Sequence, residues 1–183
     1  TVNTTASLHP DSPAPDEMAP PPSRSRVALF KRLADVVCLP SSRVNAFERS
    51  MTADLLVDML REAPVEDRVR VARRLSSLTE IPARLVRILL RDQFEVARAL
   101  LEDCASLSDA DLLDCVAHAG VEHRRAIALR RGVGEVVAEA LARPMEPQVI
   151  EALLRNELAK LPNAAVETVV AATREEPRFI PQL

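Results

Sequence analysis

Apolar positions begin to repeat at Val27. Leu29, Phe30, Leu33, Val36 and Val37 recur at spacings of three and four, which predicts an amphipathic helix ending before Pro40. Ser41 or Ser42 is expected to cap a longer helix. Val44, Phe47, Met51, Leu55, Val57, Met59 and Leu60 supply its apolar face, and Pro64 ends it. Shorter segments follow. Glu66 to Leu78 turns Val69, Ala72 and Leu75 inward; Pro82 opens, as a first helical residue, a helix carrying Leu85, Val86, Leu89 and Leu90. Phe94 to Glu102 comes after a break at Asp92. Ser108 with Asp111 three later reads as a capping box for the helix of Leu112, Leu113 and Val116, with Gly120 as the residue that closes it. Val121 to Arg131 is closed by Gly132 and Gly134, and Glu135 to Arg143, Pro147 to Glu157 and Asn163 to Arg174 complete the series.

These segments alternate between two kinds. One kind carries an apolar doublet: Leu85-Val86, Leu112-Leu113, Val136-Val137, Ala165-Val166. The other carries a charged residue followed by alanine: Arg98-Ala99, Arg125-Ala126, Glu151-Ala152. Both markers return at a period of about 27 residues, the self-similarity of a repeat protein. A single pair of such helices buries one face only, so neighbours must stack to complete a core. The expected architecture is all-α: a right-handed α-solenoid of short helix pairs, preceded by a small N-terminal helical bundle. The expected organisation is a flexible Pro-rich tail over 1–23, an N-terminal helical pair over 24–64, and helical repeats over 65–183. The tail segment HPDSPAPDEMAPPPS holds six prolines and little that could be buried. At the other end EEPRFIPQL, with Phe179, Ile180 and Leu183, reads as the entry to a further helix. The natural chain is therefore expected to continue past Leu183, or to pack this end on something.

Composition agrees with the pattern. Apolar residues are 48% of 183, glycines three, aromatics 2%, with no Tyr or Trp. Sheets favour β-branched and aromatic residues, whereas Ala, Leu, Arg and Glu favour helix. Net charge is −3, which gives no whole-chain bias toward nucleic acid or membrane. The three cysteines are odd in number, unremarkable in spacing and set in apolar helical patterns, as expected of reduced thiols in the cytoplasm. No apolar run approaches the roughly 20 residues of a membrane span.

The run from Glu48 to Leu113, ERSMTADLLVDMLREAPVEDRVRVARRLSSLTEIPARLVRILLRDQFEVARALLEDCASLSDADLL, resembles an uncharacterised bacterial family with HEAT-like helical repeats. The segment EHRRAIALRRGVGEVVAEAL is similar to that family's second repeat, with its His-x-Arg-Ala-Ile-Ala run at His123 to Ala128. The resemblance spans roughly residues 27 to 180. It implies HEAT-like helix pairs in a bacterial cytoplasm and no particular activity.

Candidate chemistry is sparse. Cys104, Cys115, His118 and His123 could form a two-Cys, two-His metal site, but their spacing is wrong for a zinc knuckle and Cys115 falls on an apolar face. Cys115 and His118 could touch across one helical turn, yet Asp111 and Asp114 surround the thiol with negative charge, the opposite of what activates a nucleophile. His118 or His123 as a phosphoryl acceptor lacks the usual neighbouring Lys and Gly on its own helix. The acid pairs Asp109/Asp111 and Glu66/Asp67 sit where carboxylates favour a helix N-terminus. Three glycines cannot build a phosphate loop. Accordingly no enzyme, cofactor or metal is expected.

Arginine remains. Residues 61–100 hold nine Arg against six acids, and Lys31 and Lys160 are the only lysines. The expected function is a non-enzymatic protein–protein interaction scaffold or regulatory adaptor. Arg70, Arg74, Arg98 and Arg125 are its partner-binding residues, and an acidic protein segment is the natural complement. The alternative is a nucleic-acid-binding solenoid using the same arginines on a concave face, though without Tyr or Trp platforms for stacking bases.

Overall fold

The computed structural model describes residues 23–161 and 163–175. The expectations for the Pro-rich tail and for the apolar C-terminal end fall outside these residues. Among the described residues the chain is all-helical, with α1 Arg24–Val37, α2 Ala46–Leu60, α3 Val65–Ser76, α4 Ala83–Leu90, α5 Phe94–Asp103, α6 Asp109–His118, α7 Val121–Ala128, α8 Glu135–Ala142, α9 Pro147–Arg155 and α10 Asn163–Glu175.

Each helix is too short to be stable alone and relies on tertiary packing of one face. That packing is ordered by position in the chain. From α2 onward, a helix makes broad contact with its second neighbour: α3 on α5, α5 on α7, α7 on α9, and likewise α2 on α4, α4 on α6, α6 on α8, α8 on α10. First neighbours α4–α5, α6–α7 and α8–α9 join these two rows. One apolar cluster runs between them from Leu33 to Leu153, and includes the N-terminal pair α1–α2. Leu56, Leu60, Leu75, Leu85, Leu89, Leu100, Ile127 and Leu141 are closed off from solvent within it. Each such side chain contributes about 1.5–3 kcal/mol.

Several local expectations are met. The Ser108–Asp111 capping box forms in both directions, and Pro147 opens α9. Gly132 takes a φ of 71° in the turn after α7, a left-handed conformation in which glycine alone is unstrained. Others are corrected. Asn45, not Ser41 or Ser42, caps α2, in a capping box with Glu48. Pro82 immediately precedes α4 and lies outside it. Gly120 is extended, at φ −90°, and serves as the N-cap of α7 in place of a left-handed helix stop. The largest correction concerns α2. Phe47, Met51 and Leu55, expected inside, are exposed, while Ala53, Leu56, Val57 and Leu60 form the buried face.

Candidate interaction surface

The arginines divide by whether the fold gives their guanidinium a task. One set seats on helix C-termini, where backbone carbonyls have no partner within the helix. Arg49, buried on α2, donates to Val37 O at the end of α1. Arg68 donates to Ala63 O beyond α2 (2.6 Å), and its Nε lies 2.8 Å from Asp92 Oδ2. Arg124 donates to Ala119 O (2.6 Å) and through Nε and Nη2 to both oxygens of Glu146 (2.6 Å each). Arg130, in the loop after α7, donates to Leu101 O and to Cys104 O (2.7 Å) at the end of α5. Burial lowers the Arg130 pKa from its ordinary value. These side chains are held by acceptors within the chain and are not offered outward.

The same device links successive repeats without arginine. Ser106 Oγ, after α5, donates to Leu78 O after α3 (3.2 Å). Asn156 Nδ2, after α9, donates to Ala128 O (2.8 Å) and Arg130 O (2.7 Å) after α7. Each loop thus satisfies carbonyls at the end of the preceding helix in its row.

The four arginines expected to bind a partner lie elsewhere, on the exposed sides of α3, α5 and α7. Arg70 pairs with Asp67 at 3.0 Å, Arg74 with Asp35 on α1 at 2.7 Å, and Arg98 with Glu102 at 3.0 Å. Arg125 is exposed, with no ion pair among the described residues. The structure also brings Arg73 and Arg98 into one groove between α3 and α5, with Glu95, Ala99, Glu102 and Asp103. Aligning the helices by their first residues shows what the surface carries. Arg98 and Arg125 each hold the fifth position, whereas Glu66, Glu95 and Glu122 each hold the second. Positions two and five are neighbours on a helix. A row of glutamates therefore runs beside the arginines, and the face has mixed sign.

A second ionic ladder crosses the other row. Arg84 on α4 meets Asp54 on α2 at 2.7 Å. Arg91 at the end of α4 meets Asp114 on α6 with Nε at 2.9 Å and Nη2 at 2.6 Å. This two-pronged hydrogen bond from Arg91 holds the Asp114 carboxyl below the usual carboxylate range.

The sulfur and imidazole candidates are not brought together. Cys115 is buried, its Sγ 3.5 Å from Leu90 O, and burial, with the nearby Asp114 charge, pushes the thiol up to about 12. Cys104 is buried beside Ser106. His118 Nδ1 sits 2.9 Å from its own helix's Asp114 O. His123 is 6% exposed; its ring meets Phe94 edge-on at 5.5 Å, and Nε2 lies 2.8 Å from Asp92 O. A carbonyl only accepts, so Nε2 carries the proton, and the remaining nitrogen, Nδ1, is buried without a partner among the described residues. The ring packs α7 against the start of α5. Among the described residues no group of three or more His, Cys, Asp or Glu could hold a metal ion, and no helix is long and apolar enough to cross a membrane.

Alkylation tests this arrangement, because only a thiolate reacts. At about pH 8 the native chain is expected to label at half-buried Cys38 first, slowly, since burial raises that thiol too. Cys104 and Cys115 are expected to label only once urea unfolds the protein. Peptide mapping showing native Cys115 labelled as fast as Cys38 would contradict the packing described.

Residues 96–183 match the model of a family described as an uncharacterised protein conserved in bacteria (DUF2336). No curated protein and no solved structure matches the chain. The resemblance to an uncharacterised bacterial family is thus met over the second part of the chain, from α5 onward.

Proposed function

We propose that this chain, related over residues 96–183 to that bacterial family, folds as a right-handed α-solenoid of HEAT-like helix pairs. In this reading it serves in the cytoplasm as a non-enzymatic scaffold or adaptor for a protein partner. The second-neighbour packing of α3, α5, α7 and α9 supports the solenoid, because each added pair extends a row without closing it. One observation carries the binding surface: three successive helices of that row present Arg70, Arg74, Arg98 and Arg125 outward, and three of the four are engaged only in exposed pairs. Exposed pairs contribute about 0.2–1 kcal/mol each, so a partner carboxylate can replace the internal one at little cost. The neighbouring glutamate row suits a protein segment of mainly acidic character with occasional cations. It suits a phosphate backbone poorly, since that needs a face of one sign.

Affinity capture from native lysate, with and without nuclease and read by mass spectrometry, tests the reading. A defined protein partner is expected to survive nuclease and to be lost on reversing the charge of Arg70, Arg74 and Arg98. Material that disappears with nuclease overturns the scaffold and leaves the same arginines as a nucleic-acid surface. With no Trp or Tyr in the chain, bound nucleic acid would stand out at about 260 nm over the protein's own weak absorbance.

A further inference from the structure

The exposed side of α2 is unusual for a soluble surface. Phe47, Met51 and Leu55 are 72%, 54% and 57% exposed. They recur every four residues and so form a continuous apolar stripe, on the side of α2 away from buried Leu56, Val57 and Leu60. Glu48, Asp54 and Asp58 border the stripe. Asp54 is engaged by Arg84, and Glu48 is turned back to its cap on Asn45, which leaves Asp58 the outward carboxylate.

The adjoining helix has the opposite character. Leu29 on α1 is 52% exposed, and Val36, seven residues on, is half-buried on the same side. The exposed cation Arg32 lies three residues from Leu29, on the same side of α1, and has no ion pair among the described residues. The two helices run antiparallel. Arg49 of α2 reaches Val37 O at the end of α1, and Arg26 at the start of α1 pairs with Glu62 beyond α2.

We propose that this α1–α2 hairpin is a self-association surface, and that its occupant is a second copy of the chain. In the dimer α1 of each copy lies on the Phe47–Met51–Leu55 stripe of the other, closing a twofold four-helix bundle. The Phe47–Met51–Leu55 stripe with Asp58 at its edge meets Leu29 and Val36 with Arg32 at theirs, twice over, as an isologous contact requires. Arg32 of one copy answers Asp58 of the other. The surface uses none of the arginines of α3, α5 and α7; its one link to them is Asp35 of α1, which pairs with Arg74, and the substitutions that test the two readings do not overlap.

Sedimentation equilibrium on the full chain decides the matter. A reversible dimer is expected in the micromolar range, weakened by salt. Met51→Glu with Leu55→Glu is expected to raise the dissociation constant by roughly 100-fold or more. Because both side chains are exposed in the monomer, helical circular dichroism and the urea midpoint should hold. Asp58→Arg alone and Arg32→Glu alone are each expected to weaken self-association, and an equimolar mixture of the two variants to recover it as a heterodimer. A chain that stays monomeric at about 100 µM, or a dimer indifferent to all these substitutions, overturns the proposal. So does a monomer in which Met51 resists peroxide until residues 1–22 are removed, since the occupant is then the chain's own N-terminal segment.

Discussion

Replacing Arg130 by alanine is expected to lower the unfolding free energy by about 3 kcal/mol, among the largest single losses available outside the apolar core. The residue lies in the loop after α7, yet its guanidinium sits on Leu101 O and Cys104 O at the C-terminal end of α5. Those carbonyls have no further partner within their helix, and the site is too enclosed for water to replace both donors freely. Leaving a buried acceptor unmet costs about 1–3 kcal/mol. Arg130→Lys should recover only part of the loss, because an ammonium is a point donor and cannot reach divergent carbonyls as a planar fork does. Urea titration followed by circular dichroism at fixed m-value gives the number. A loss below about 0.5 kcal/mol would place Arg130 among ordinary surface residues and would remove the repeat-to-repeat capping described above. Asn156→Ala, which strips the corresponding cap from Ala128 O and Arg130 O, is expected to act in the same direction.

This arginine also marks what the sequence conveys and what it does not. Helix number and most boundaries are legible because their signals are local. Ser108 and Asp111 are three residues apart and cap each other, and Pro147 is already set for a first helical position. Alternation of the helices is legible because both markers recur at nearly constant spacing. The buried face of α2 is not. Phe47, Met51 and Leu55 fit one apolar stripe, and Ala53, Leu56, Val57 and Leu60 fit another, so periodicity alone selects neither. Contact with α1 and α4 decides between them. The arginines fail to separate for a related reason. Arg68 and Arg124 are each the fourth residue of a helix, and Arg98 and Arg125 each the fifth. One step of helical rotation turns the first two toward the preceding carbonyls and the second two toward solvent. Nothing in residue type records that difference. The regular recurrence of an Arg at the fourth position of α3 and again of α7 is the one trace visible in the chain, and it becomes readable only once the helix starts are aligned.

The Arg124–Glu146 pair supplies the second large effect. Arg124 is 16% exposed and Glu146 25%, so the pair sits between the buried and the solvated limits. Its two parallel hydrogen bonds are 2.6 Å each, and a third donor reaches Ala119 O at the end of α6. The same side chain thus closes α6, joins it to α7, and holds the segment that leads into α9. Glu146→Gln should remove charge with little loss of shape and lower stability by about 1–2 kcal/mol. Arg124→Met should lower it by about 2–3 kcal/mol, because Glu146 then keeps a partly desolvated charge while Ala119 O loses its donor. The double variant is expected to fall short of the sum by about 1 kcal/mol or more, the signature of direct coupling. Exposure makes the contrast. The Arg98–Glu102 pair is 63% and 46% exposed, so removing it should change stability by no more than about 0.5 kcal/mol and should matter less still in about 0.5 M salt. The Arg124 cycle should persist in that salt. Equal behaviour of the two pairs would mean that Arg124 is solvated like Arg98, and the distinction between arginines that hold the repeats together and arginines free to meet a partner would fail at its clearest point.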